Sequence, residues 1–257
     1  MKKTPRAFTF LLIAWTLSMI AVPIIRWTMG DGALPGAATL SVALLAAAVT
    51  TLLGRAWGKR RTLVTVLVIL AGAWTIERIG SATGIPFGSY HYTQRLTPQI
   101  GHVPLLIPLA WLMLLPPAWA IAAAVAGRWS GMRFTLVAAL AFTAWDLFLD
   151  PQMTAWGFWV WDQPGGYFGI PWVNFGGWML SAALLTWAAR PLPLPMRPLL
   201  IVYALTWALQ TVGLLVFWRM PGPALAGAAG MGLMLALALR RQGATRFLSR
   251  AQAPRHA

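Results

Sequence analysis

Asp146 and Asp150 stand four residues apart near the end of a long apolar run, inside a segment from Phe134 to Trp178 that is otherwise lipid-soluble. On a helix that spacing sets both carboxyls on one face, about 6 Å apart along the axis. Two carboxyls that close in a dry site do not both ionise, and a shared proton is the arrangement that acid–base chemistry needs. A glycine-rich loop follows, with Trp156, Phe158, Trp159, Trp161, Tyr167, Phe168, Trp172 and Phe175, and without a Lys or Arg. Indole faces attract cations through their quadrupole, more strongly where water is excluded. Acids in such a chamber suit the protonation of an isolated alkene: the acid protonates the double bond, a tertiary carbocation forms beneath the rings, and water captures it. The bland alternative makes Asp150 a cap before Pro151 and Asp146 a helix-pairing group.

Other polar residues are candidates to support this pair. Glu77 lies about 21 Å along its helix from Leu63, close to where hydrocarbon ends. A charge at mid-bilayer costs about 3 kcal/mol or more, so Glu77 is interfacial, protonated or paired. Residues 80–111, GSATGIPFGSYHYTQRLTPQIGHVPLLIPLAW, carry helix breakers beside Tyr90, His91 and Tyr92, and read as a folded re-entrant or interfacial segment. His91 and His102, with no fixed carboxylate spacing, make a poor metal signature, and no metal site is expected. Asn174 enters a helix in VNFGGW, where it can orient a water or the two acids. The pieces GIPFGSY and YFGIPW read as marks of two related helical hairpins facing a common site.

These residues must be held by a membrane protein. Of 257 residues 59% are apolar and only 10% charged, and the mean hydropathy of +0.68 is far from that of a soluble domain. Apolar runs long enough to cross about 30 Å of hydrocarbon recur throughout. The expected fold is all-α, a polytopic helical bundle forming a single integral domain over 1–257, with spans near 8–25, 33–53, 62–80, 104–126, 133–150, 171–189, 198–218 and 222–239. Eight spans put both termini on one side. All Lys and Arg except Arg26, Arg78, Arg95 and Arg219 then fall on that side, and the positive-inside rule makes it cytoplasmic.

The net charge of +15 therefore speaks for topology and for anionic lipid near the basic tail from Arg240, and no nucleic-acid partner is expected. The first span, behind Lys2 and Lys3, reads as an uncleaved anchor, since its apolar run is long and no small-x-small site follows promptly. With no cysteine, thiolate chemistry and disulfides are excluded. The last two spans carry only Gln210 as an interior polar residue, with small residues in PGPALAGAAGMGLM suited to close packing.

Several separated stretches, in one order, resemble the membrane-integral carotenoid hydratases of bacteria and archaea: Gly84-Ile-Pro-Phe-Gly-Ser-Tyr-His-Tyr, Val103-Pro104 to Trp111, Asp146 to Pro151, Trp159-Val-Trp161, and Gly166-Tyr-Phe-Gly-Ile-Pro-Trp-Val-Asn174-Phe-Gly-Gly-Trp178. The likeness covers about residues 77–180. It implies a cell-membrane hydro-lyase that needs no cofactor and adds water across the terminal C1–C2 double bond of an acyclic, lycopene-like carotenoid end, giving a tertiary alcohol. Linear or monocyclic carotenoid, water and membrane lipid are the implied partners, and contact with other enzymes of that pathway stays open.

Placement then suggests Asp146 as the drier general acid and Asp150 as its partner or the base for water, with Glu77 as the third acid. Tyr90, His91, Tyr92, Trp145, Trp159, Trp161, Tyr167, Asn174 and Trp178 would bind substrate or support the acids. A proton-coupled transporter of a lipid or small solute is the alternative, because intramembrane acids and broken helices also mark transport sites. Against it, the acids cluster at one edge of the membrane. A purely structural subunit is the third reading.

Overall fold

The computed structural model describes residues 4–251, with side chains as far as Arg241. Lys2, Lys3 and Arg255, and the side chains of Arg246 and Arg250, counted above toward the basic side, lie outside the described residues.

Among the described residues eight α-helices make up the bundle: α1 Arg6–Met29, α2 Leu34–Trp57, α3 Lys59–Thr83, α4 Leu106–Ala126, α5 Met132–Ala155, α6 Trp172–Ala189, α7 Met196–Val212 and α8 Pro221–Ala251. Seven are long and apolar enough to cross a bilayer, counting α7 with the widened π turn Gly213–Phe217 that extends it. The exception is α6, whose Asn174 and paired glycines lower its apolar content. Its 18 residues cover about 27 Å, and it runs antiparallel along α3. Gly177 meets Pro86 and Phe87 just beyond the end of α3, Leu185 lies against Gly72, and Arg61 in the first turn of α3 donates to the Ala189 and Arg190 carbonyls at 2.8 and 2.6 Å.

A helix therefore stands at each of the eight expected spans, seven of them long and apolar enough to cross, in a polytopic all-α membrane bundle. Neighbouring helices alternate in direction, so one end of the bundle gathers Arg55, Lys59, Arg60, Arg61, Arg128, Arg133, Arg190 and Arg197. This is the basic end. At the other, short strands stand between the helices: β1 Tyr90–Tyr92, β2 Gln99–Ile100, β3 Val103–Pro104 and β4 Trp159–Trp161. We call it the strand end.

The central element is α4, apolar all round and buried along nearly its whole length, as a helix with no polar face must be. Small residues elsewhere decide how close its neighbours come. Gly227 and Gly230 of α8 receive Phe148 and Leu147 of α5, so closely that a Cβ would stand 2.5 and 2.8 Å from those side chains. A single residue, Gly58, turns α2 into α3 at φ +78°, a left-handed conformation that glycine alone enters freely.

Between α3 and α4 the folded segment is built of strands: β1 pairs antiparallel with β4 (Tyr90 opposite Trp161, Tyr92 opposite Trp159), and β2 with β3. One expectation changes. The fifth helix does not stop at Pro151 but continues to Ala155, which removes the capping alternative for Asp150. Proline leaves the carbonyl four residues back without its N–H donor. The Tyr167 hydroxyl fills that gap, donating to the Leu147 carbonyl at 2.8 Å.

Candidate functional site

The i, i+4 spacing on α5 turns Asp146 and Asp150 toward α6, where Asn174 waits in its first turn. Its amide nitrogen donates to Asp146 Oδ2 at 2.8 Å and also to Asp150 Oδ2. The Trp159 indole of β4 donates to Asp150 Oδ1 at 2.9 Å. Asp146 is 0% exposed and its Oδ1 has no hydrogen-bond partner among the described residues.

Across the same space stands Glu77, 3% exposed near the strand end of α3. The hydroxyls of Tyr90 and Tyr92 both donate to its Oε2 at 2.7 Å, and the Trp111 indole donates to Oε1 at 3.3 Å. Strand alternation explains why two tyrosines reach one carboxylate: residues i and i+2 share a face. Both phenols are pushed above the usual tyrosine range, first by burial and then by the charge of Glu77. They remain O–H donors across the whole neutral range. Tyr167, near Asp146, is shifted the same way by burial.

The alternation that brings Tyr90 and Tyr92 inward sends His91 out. Its ring pairs with Asp162 at 2.9 Å and its side chain is 61% exposed, so the structure does not bring His91 to the acids. His102 is exposed as well. Among the described residues no three His, Cys, Asp or Glu side chains group as metal ligands.

Two cavities meet here. The smaller, about 30 Å³, is walled by Glu77, Asp150, Asn174, Tyr90, Tyr92 and the rings of Trp111, Trp159, Trp161 and Trp178. That is room for a water molecule or two among polar partners. The larger, about 180 Å³, is almost wholly apolar, runs between α1, α2, α4, α5 and α7, and includes Trp145. Ile107, Ala110, Leu149 and Trp159 belong to both walls. Asp146 lines neither cavity and stands behind Asn174; Tyr167 also lines neither and instead braces α5.

Sequence reasoning did not single out Trp111 as a partner of Glu77. Its ring stacks on Trp178 at 5.0 Å while its N–H reaches the carboxylate. The available signal was chemical, since a tryptophan on a helix apolar all round needs a buried acceptor for its N–H.

The arrangement brings Glu77 and Asp150, with Asp146 behind them, and seven aromatic rings, Phe87 among them, round a water-sized space beside an apolar cavity, an arrangement able to do acid–base chemistry on a greasy chain. A protein from Haloarcula japonica named bisanhydrobacterioruberin hydratase is 32% identical over 128 residues, covering 49% of this chain. The match spans 43% of that relative's own length. No solved structure matches the chain. The family described as "Carotenoid biosynthesis protein" matches residues 36–237, from the first turn of α2 into α8 and with every carboxyl and ring of the site inside it, and the chain belongs to that family.

Proposed function

We propose that the protein is a carotenoid hydratase that adds water across the terminal C1–C2 double bond of an acyclic carotenoid end, giving a tertiary alcohol. One observation carries this reading: the water-sized cavity walled by Asp150 and Glu77 shares a wall with an apolar cavity fit for a hydrocarbon chain. The chain end lies in the larger space and its last double bond reaches the smaller.

The pair Asp146–Asp150 holds one proton, and Asp150, which faces the cavity, gives it to C2. Both alkene electrons enter the new C–H bond, and the positive charge is left at C1. The π faces of Trp111, Trp159 and Trp178 and the carboxylate of Glu77 stabilise that charge. Water in the small cavity attacks C1 and loses a proton to Glu77 through Oε1, whose one donor is the most distant of the three. The proton returns through cavity water to the aspartates, so the sum of the steps is alkene plus water giving alcohol. The basic end faces the cytoplasm of the cell membrane, as the positive-inside rule requires, and the chemistry takes place toward the opposite leaflet.

Expression in a host that accumulates lycopene, and in one that accumulates a monocyclic carotenoid with one acyclic end, tests the proposal. Pigment gaining the mass of one water per acyclic end supports it. Unchanged pigment in both hosts, with the protein present and folded in the membrane, overturns it.

A further inference from the structure

The larger cavity cannot enclose a whole carotenoid. At the roughly 10–15 Å³ that one water-sized group needs, its volume of about 180 Å³ takes on the order of fifteen chain atoms, and a carotenoid has several times as many carbons. The end group fits, and the rest of the chain must pass out through the wall. Most of that wall is closed. Its exposed side chains, among the described residues, are Ile20 of α1 and Val212 of α7, at 51% and 52%. A side chain that lines a cavity and also faces outward stands at the rim of an opening, and on a membrane-spanning helix the outside is hydrocarbon.

The two helices are joined nearer the strand end. Trp27 meets Phe217 edge to face at 5.6 Å, and the Arg26 guanidinium, paired with Asp31 at 2.6 Å, lies 5.1 Å from the centroid of the Trp218 ring. Ile20 and Val212 lie roughly 7 to 10 Å deeper along their helices. At that depth no hydrogen bond or ring contact joins α1 to α7 among the described residues.

We propose that this gap between α1 and α7 is the doorway for the carotenoid: the end group enters sideways from the bilayer, and the stem of the bound chain lies between Ile20 and Val212. The proposal rests on the hydratase reading above and adds the route of access. The far end of the molecule stays among lipid and takes no part in recognition. A carotenoid with two reactive ends therefore withdraws and re-enters between its two hydrations.

The chain has no cysteine, so a single introduced thiol is modified alone. Ile20→Cys and Val212→Cys are purified in detergent and alkylated with a bulky, lipid-soluble maleimide. Leu67→Cys is the control, since Leu67 of α3 is 54% exposed and lines neither cavity. Mass spectrometry confirms one label per chain, and gel filtration a single sharp peak. Binding of a linear polyene hydrocarbon is followed through quenching of the tryptophans, of which Trp15, Trp145 and Trp156 line the larger cavity. The label on Ile20→Cys and on Val212→Cys weakens binding at least about tenfold against the same variant unlabelled, because stem and label cannot share one opening. On Leu67→Cys it changes nothing. If a labelled protein loses its sharp peak, Ile20→Trp and Val212→Trp, which narrow the opening without a reagent, carry the same comparison against wild type. Loss at neither position or at only one, an equal loss from the label on Leu67→Cys, or a wild type that does not bind the polyene overturns the doorway. Quenching needs no turnover, so binding that the labels block in a protein that hydrates no carotenoid refutes the hydratase reading alone. Hydration at full rate with either label in place refutes the doorway alone.

Discussion

Glu77 and the Asp146–Asp150 pair lie on facing sides of one cluster, yet they are furnished differently. Glu77 receives three donors, all from neutral groups that stay protonated. The two aspartates together receive one shared amide and one indole, and Asp146 Oδ1 receives nothing. A carboxylate offers about four acceptor positions. Glu77 is thus the better furnished of the two sites with donors, whereas the aspartates lack the donors for two charges, and the mechanism proposed above assigns the negative charge to Glu77 and the shared proton to the aspartates. On that mechanism the contrast sets a proton source, Asp150 with Asp146 behind it, across the small cavity from the carboxylate that steadies the cation and takes up the proton of water.

The sharpest way to break the contrast is to remove the proton source. Asp150→Asn keeps the shape and loses the acid, and hydration in a carotenoid-producing host is expected to fall about 10²- to 10⁴-fold. Immunoblotting of membranes must show the variant at wild-type level. Full product from Asp150→Asn would transfer the role to Asp146 or end the mechanism. Glu77→Gln attacks the other side of the comparison, with an expected loss of about 10²- to 10³-fold, similar to that for removing a group preorganised around developing charge. If Glu77→Gln stays active while Asp150→Asn is dead, Glu77 is a structural acceptor and the counter-charge lies elsewhere.

Much of this could be read from residues and spacing. The helices announce themselves because each must satisfy its backbone within an apolar run of membrane length, and α6 is the weakest of them because Asn174 and its glycines interrupt the apolar run. The acids stand out as the polar exceptions in lipid-soluble sequence. What could not be read depends on tertiary pairing between short segments far apart. The ribbon β1–β4 joins Tyr90–Tyr92 to Trp159–Trp161, strands of three residues each, too short for any periodic signal. Without that ribbon there is no way to see that Tyr92 faces Glu77 while His91 faces away. The same holds for Trp111 and for Asp146, whose place behind Asn174 depends on how α5 meets α6.

A smaller effect tests the donors of Glu77 one at a time. Tyr92→Phe removes one of two hydroxyls from Oε2. Hydrogen bonds to charged groups are worth about 1.5 to 3 kcal/mol, so hydration is expected to drop roughly 10- to 100-fold, with Tyr90→Phe alike. Gly177→Ala probes the frame that sets these distances, because a Cβ there would meet the Pro86 carbonyl oxygen and the Phe87 ring at 2.7 Å. Neither the backbone nor the packed ring yields easily, and a stability loss of about 1 to 3 kcal/mol is expected in thermal unfolding of the solubilised protein.

The smallest effect is also the most selective for the contrast, since it reads the tyrosines without substrate. Tyr90 and Tyr92 are held above their ordinary value of 10.0 by burial and by the charge of Glu77. Their neutral form is therefore favoured by folding, while the unfolded chain ionises at the ordinary value. The sign follows from linkage: the contribution is complete below pH 10 and is lost as pH climbs from there through the raised values of the folded state. Thermal unfolding between pH 8 and pH 11 should show wild type losing stability above pH 10, and a Tyr90→Phe, Tyr92→Phe variant losing visibly less over the same interval. Identical slopes would mean that the two phenols are not buried beside a charged Glu77, and the asymmetry between the two carboxyl sites would go with them.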